Sequence, residues 1–253
     1  MKPAAEAAQV KATCITTTAE ALWVEWSSWS GQVGVVKRPH GCTRLFRPFP
    51  VVQCPGGSAC ASSLTTWPAS IDGFIGDPTG DGTSFLRYVD EEFFAFLKAE
   101  YPETMPTHGR QSFGIDHLEN RHFDTIIQGR VSYDIALEAG VTSPYAHLRQ
   151  YVVSRSIKES PDPAVEIVSG DVAAKVRELK AEEGEFGIYL CGGADLAAQL
   201  ANEVDELIIK TYPSVLRSGM PMFAADFRID EFALDSVRAF GNGVIVTTYS
   251  RKK

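Results

Sequence analysis

The segment FGIYLCGGADLAAQLANEV, Phe186 to Val204, constrains the fold of this chain more than any other stretch. Phe186, Ile188, Tyr189 and Leu190 read as a buried strand, which stops at Gly192 and Gly193 and passes directly into helical spacing. A buried strand feeding a helix is half of a crossover connection, and parallel strands require such connections. The paired glycines let something approach the backbone closely: a phosphate lying against a helix N-terminus, or simply the chain itself in a tight strand-to-helix turn.

The same alternation runs through most of the sequence. SLTTWPASIDGFIG predicts a strand entering a turn at Asp72-Gly73. VDEEFFAFLKAEY predicts a short helix with Phe93, Phe94, Phe96 and Leu97 facing inward, closed by Pro102. FDTIIQG is a strand, followed by a helix from Val131 to about Ala139 with Gly140 as its cap. LRQYVVS and AVEIVSG are strands, and DVAAKVRELKAEEG is a helix with Asp171 as N-cap and Gly184 as its stop. After the opening segment come a strand in DELIIKTYPSV and two closing strands around FALDSVRAF and GNGVIVTTYS. This order predicts an α/β protein with a central, mostly parallel sheet, helices on both faces and antiparallel strands at the C-terminal edge.

Residues 1–62 are a different kind of sequence. Lys and Arg exceed Asp and Glu by 6 to 3 in residues 1–68, whereas the remainder carries 18 against 29. Four of the five cysteines and all four tryptophans fall in that early stretch, which shows no useful periodicity. The expectation is an N-terminal arm, residues 1–62, that is poorly ordered or translated from upstream of the true start, and a single domain over residues 63–253. Cys14, Cys42, Cys54 and Cys60 match no zinc-ligand spacing, so no metal is expected. The net charge of −8 argues against nucleic acid or an anionic membrane as partner. No apolar run approaches the roughly eighteen residues of a membrane span, and the expected location is the cytoplasm.

In a sheet of this kind ligands bind beyond the carboxyl ends of the strands. Three junctions there combine glycines, hydroxyls and arginines: Gly129, Arg130 and Ser132 in IIQGRVSYD; Ser154, Arg155 and Ser156 in YVVSRSI; and Gly192 to Asp195 in YLCGGADL. Two of them open helices, whose free N–H groups attract phosphate.

These residues carry a resemblance. ASIDGFIGDPTGD, FDTIIQGRVSYD, YVVSRSI, IYLCGGADLAAQL and VDELIIKTYPSVLRSGMPMF, in that order, resemble the dihydrofolate reductase-like superfamily, and within it the C-terminal reductase domain of bacterial riboflavin biosynthesis in stand-alone form. The resemblance covers about Leu64 to Arg251. It implies the three-layer dihydrofolate reductase-like fold and NADPH as hydride donor. Gly129, Arg130 and Ser132 would hold the adenosine side, Ser154 and Arg155 the 2′-phosphate, and Gly192, Gly193, Ala194 and Asp195 the pyrophosphate. It also implies a homodimer through the C-terminal strands.

Departures from the family pattern bear on the substrate. Cys191 stands where riboflavin-pathway reductases have Glu, and Leu216-Arg217-Ser218-Gly219 replaces their Leu-Gly-Ser-Gly. Candidate catalytic acids are Glu92, which shares a helical face with Phe96, and Asp72 at the end of the first strand; Asp90 and Tyr133 are candidates for substrate binding. Each has a structural alternative: a turn for Asp72, a helix-dipole partner for the acids near residue 90, packing for Tyr133. His108, His117 and His122 lie in a long segment that closes over the substrate or is simply solvated. The expected function is an NADPH-dependent reductase of a small pterin- or pyrimidine-like heterocycle or carbonyl compound. The alternative is a non-catalytic NADPH-binding protein that keeps the fold. Proton delivery falls to a side chain or to water.

Overall fold

The computed structural model describes residues 63–252, with Leu64 to Trp67 described by their backbone; the expected arm, residues 1–62, lies outside the described residues. An eight-stranded sheet has the order β5-β4-β3-β6-β1-β7-β10-β9. Its strands are β1 Ser63–Ser70, β3 Phe123–Gly129, β4 Arg149–Val153, β5 Val165–Val168, β6 Gly187–Cys191, β7 Glu206–Tyr212, β9 Phe232–Ala239 and β10 Ile245–Arg251. All pairings from β5 to β7 are parallel, and β10 is antiparallel to both of its neighbours. The near-continuous apolar strands of the centre require cover on both faces, and both faces are covered.

Helix α1 (Glu91–Glu100) buries Phe93 and Phe96 against one face, with Phe94 and Leu97 partly buried. Asp90 caps it by accepting a hydrogen bond from the Phe93 backbone at 2.8 Å. Helix α3 (Arg130–Glu138) covers the same face further along and ends at Gly140, whose φ of +77° is the left-handed conformation that glycine enters most readily. On the opposite face, α4 (Val172–Lys180) and α5 (Ala194–Gln199) pack Val176, Leu179, Leu196 and Ala197 against the sheet. Asp171 caps α4 as expected, accepting from Ala174 N at 3.0 Å. The helix ends at Lys180 and not at Gly184, and α5 stops at Gln199, short of Val204.

Two features depart from the sequence reading. Short strands β2 (Phe74–Gly76) and β8 (Met220–Pro221) pair antiparallel as a flap beside the sheet. The segment read as a long loop, closing over the substrate or simply solvated, contains a helix, α2 (Thr107–Ser112), and lies at the amino ends of the strands. Buried Glu103 fixes it there: one carboxylate oxygen accepts from the backbone N–H groups of Arg121, His122 and Phe123, and the His122 carbonyl accepts from Gly187 N at 2.6 Å. That is the edge of the sheet opposite the carboxyl rim, so His108, His117 and His122 do not close over anything bound there.

Candidate nucleotide site

Because β1, β3, β4, β5, β6 and β7 all point the same way, their carboxyl ends form one rim. A cavity of about 1120 Å³ runs along it. It is walled by the residues after β3, β4, β5 and β6, by Pro68 of β1, and by Ile75, Gly80 and Met220 of the flap region. All nine residues expected to hold a nucleotide line this one cavity: Gly129, Arg130, Ser132, Ser154, Arg155, Gly192, Gly193, Ala194 and Asp195.

The two arginines do different work. Arg130 donates from Nε to Asp134 Oδ1 at 2.5 Å and from Nη1 to Ser156 Oγ at 2.7 Å, which ties the start of α3 to the turn after β4. Arg155 is exposed on the cavity wall and forms no ion pair with a described residue, which leaves its guanidinium to a ligand. Ser154 is buried; its hydroxyl oxygen accepts from Ser156 N at 3.2 Å and Ile157 N at 2.9 Å, which shapes the turn and leaves the O–H free to donate. A planar guanidinium beside a hydroxyl suits a phosphate dianion.

The glycines have a partly internal explanation. A Cβ on Gly192 would lie 2.6 Å from Leu196 Cδ2, and the Gly192 backbone approaches Gly129, whose own Cβ would be 3.6 Å from Gly192 Cα. A Cβ on Gly193 would meet Met220 Sδ at 3.1 Å. The first demand for small residues at this turn therefore comes from the fold, and the space left above them belongs to the cavity.

The four remaining candidates do not line the cavity. Asp72 accepts from Ser70 Oγ at 2.6 Å, Leu216 N at 3.1 Å and Arg217 N at 2.8 Å; these bonds, the Ser70 hydroxyl first, hold its carboxyl below the usual range. It joins the turn after β1 to the loop after β7. Asp90 is occupied as the α1 cap. Glu92 is exposed and leans over the β9-β10 hairpin, its Oε2 3.4 Å from where a Gly241 Cβ would be. Its i+4 relation to Phe96 holds in sequence, but the face it occupies is the solvent side of the helix. Tyr133 is fully buried and donates to the Thr142 carbonyl at 2.7 Å, with Ser160 Oγ at 2.9 Å. Asp195 is the one carboxylate among the described residues lining the cavity.

No family model matches the chain. A protein of Bacillus subtilis (strain 168), "Uncharacterized protein YwjB", is 32% identical over 123 residues, which span 48% of this chain and 70% of that protein. Among solved structures, a putative riboflavin biosynthesis protein from Shewanella sp. PV-4 superposes with a TM-score of 0.56 at 22% identity, over 76% of this chain and 99% of that one. A diaminohydroxyphosphoribosylaminopyrimidine deaminase/5-amino-6-(5-phosphoribosylamino)uracil reductase from Thermotoga maritima gives 0.51 at 13% identity, over 76% of this chain and 57% of that one. Dihydrofolate reductase from Enterococcus faecalis, in complex with NADP(H), gives 0.50 at 14% identity over 76% and 97%. This chain belongs to the family of YwjB, and its fold is that of the dihydrofolate reductase-like superfamily, in the form shared with riboflavin-biosynthesis reductases.

Proposed function

We propose that this protein is an NADPH-dependent reductase of a small heterocyclic or carbonyl substrate. The observation that carries the reading is the convergence, on one cavity, of every residue expected to hold the nucleotide, with Arg155, which pairs with no described residue, on its wall. Arg155 and Ser154 would take the 2′-phosphate, Ser132 and the start of α3 the adenosine side, and the turn from Gly192 to Asp195 the pyrophosphate. Arg130 acts through Ser156 and Asp134, holding the phosphate-side turn in place. NADPH supplies a hydride when bound; the protein supplies orientation and a cavity with restricted water.

A second reading, nucleotide binding without turnover, draws on the replacement of the family's Glu by Cys191 and on the position of Glu92 outside the cavity. Calorimetric titration of NADPH and NADH into the full-length chain tests both. NADPH should bind at micromolar strength or tighter, and Arg155→Ala should weaken it about tenfold to a hundredfold while leaving NADH nearly unchanged. If neither nucleotide binds, the reductase reading ends. NADPH oxidation across a panel of pterins, pyrimidines and carbonyl compounds separates an enzyme from a binder.

A further inference from the structure

The cavity wall carries a second set of proton-bearing side chains, which has no part in holding a nucleotide. On β6, Ile188 and Leu190 pack against the α4-α5 face, so the alternating Tyr189 and Cys191 leave the sheet toward α1. Both line the cavity, as does Pro68 of the neighbouring strand β1. In the sheet order β6 lies two strands from β4, so this end of the cavity is apart from Ser154 and Arg155.

The hydroxyls of Tyr189 and Tyr145 both donate to the Cys191 sulfur. Burial pushes the Cys191 thiol up, which keeps it neutral, and Lys210 of β7 is the one charged group acting on it. A neutral thiol is a weak acceptor, so both phenolic donors end on a poorer partner than a carbonyl oxygen would be. Tyr145 is held away from the cavity: it is buried, and its backbone N–H donates to Gln150 Oε1 at 2.9 Å. Tyr189 is the donor on the wall, its ring set by Phe123 at 5.4 Å and by Tyr145, edge to face, at 6.5 Å between centroids. Asp195, the one carboxylate among the described residues lining the cavity, belongs to α5 on the opposite face. Among the described residues, this end therefore presents O–H and S–H groups and no carboxylate.

We propose that Tyr189 is the proton donor of the reduction and that the substrate meets it through a carbonyl oxygen. This rests on the reductase reading and narrows its substrate class. A C=O group accepts from the phenol, whereas a ring presenting an amidine needs an acceptor for its N–H groups, which this end does not supply. Cys191 holds the Tyr189 hydroxyl at the wall until the substrate oxygen takes its place. As hydride adds to the carbonyl carbon and forms the new C–H bond, the π pair moves to the oxygen, which takes the proton from Tyr189 Oη. The phenolate regains a proton from solvent once the alcohol leaves. The substrate gains two electrons and two hydrogens, and the nucleotide is oxidised.

The test begins with binding, which needs neither turnover nor NADPH. Full-length protein is titrated by fluorescence with pteridine-2,4-dione and with 2,4-diaminopteridine, the same ring carrying oxygens in one probe and amino groups in the other. The dione should bind about tenfold or more tighter than the diamine. Tyr189→Phe, which keeps the ring and its packing, should weaken the dione about tenfold and leave the diamine unchanged. Tighter binding of the diamine, no binding of the dione, or equal dione affinity in Tyr189→Phe would overturn the proposal. With any carbonyl compound that oxidises NADPH, Tyr189→Phe should lower kcat about a hundredfold or more while NADPH affinity stays unchanged. Full turnover of such a compound by Tyr189→Phe would overturn the Tyr189 assignment alone; loss of NADPH binding in the wild type would overturn the reductase reading instead.

Discussion

Replacing Lys210 by Met should make this protein more stable. Met keeps nearly the length and volume of the lysine stem, so the α1-side core loses no packing, while the desolvated charge disappears. Its ordinary value of 10.5 falls to about 8 in the folded state because burial penalises the ammonium. At 1.36 kcal/mol for each tenfold change in proton affinity, that gap is worth about 3 kcal/mol at neutral pH. The sign follows from proton counting. Between about 8 and 10.5 the unfolded chain binds the proton and the folded chain does not, so wild-type stability rises with pH across that window and the advantage of Met shrinks to nothing above it. Urea denaturation of wild type and Lys210→Met at pH near 7 and near 10.5 measures this, and thermal midpoints at neutral pH should differ by roughly 6–12 °C. Equal or lower stability of Lys210→Met at neutral pH, or a gain that persists undiminished at high pH, would show that the ammonium is well solvated or partnered and would refute the reasoning.

Two further substitutions probe the flap and its approach. Gly219→Ala should cost about 3 kcal/mol in the same denaturation assay, because the new Cβ would lie 2.2 Å from the Gly76 carbonyl oxygen, backbone against backbone; a loss under about 0.5 kcal/mol would mean that the flap moves aside freely. Arg217→Gly should stabilise by about 0.5–1 kcal/mol, since Arg217 has a φ of 66° in a conformation that disfavours any Cβ; a loss of about 1 kcal/mol or more would mean that the arginine side chain holds something in place.

The sheet was legible because its signals are strong and local. GIYLC is a short run without a charged residue and FDTIIQG is built on Phe123, Ile126 and Ile127 and stopped by a glycine, while Asp171 and Gly140 mark helix ends by side-chain chemistry and backbone freedom respectively. The flap was not: β2 and β8 are three and two residues long, too short to show a period. Nor was α2, whose THGRQS has no apolar stripe and is held from outside by the bonds of Thr107 to Pro144 and Ala146 and of Arg110 to Leu118. The nucleotide residues could be found because they follow strands whose common direction was predictable, which places their junctions on one rim. Glu92, Asp72 and Tyr133 show the opposite limit. Each is a plausible acid or donor by type, and its actual use depends on which partner folding brings within 3 Å or so, which spacing does not encode.

The contact between Gly129 and Gly192, braced by Leu196 and by the Arg130 bridge to Ser156, has a kinetic meaning. It fixes the crossovers after β3, β4 and β6 to one another before any ligand arrives, so the seat is organised during folding and not during association. Nucleotide entry should then behave as simple docking, with a rate that scales linearly with concentration and no slow isomerisation phase. Discrimination would reside almost entirely in how long each nucleotide stays.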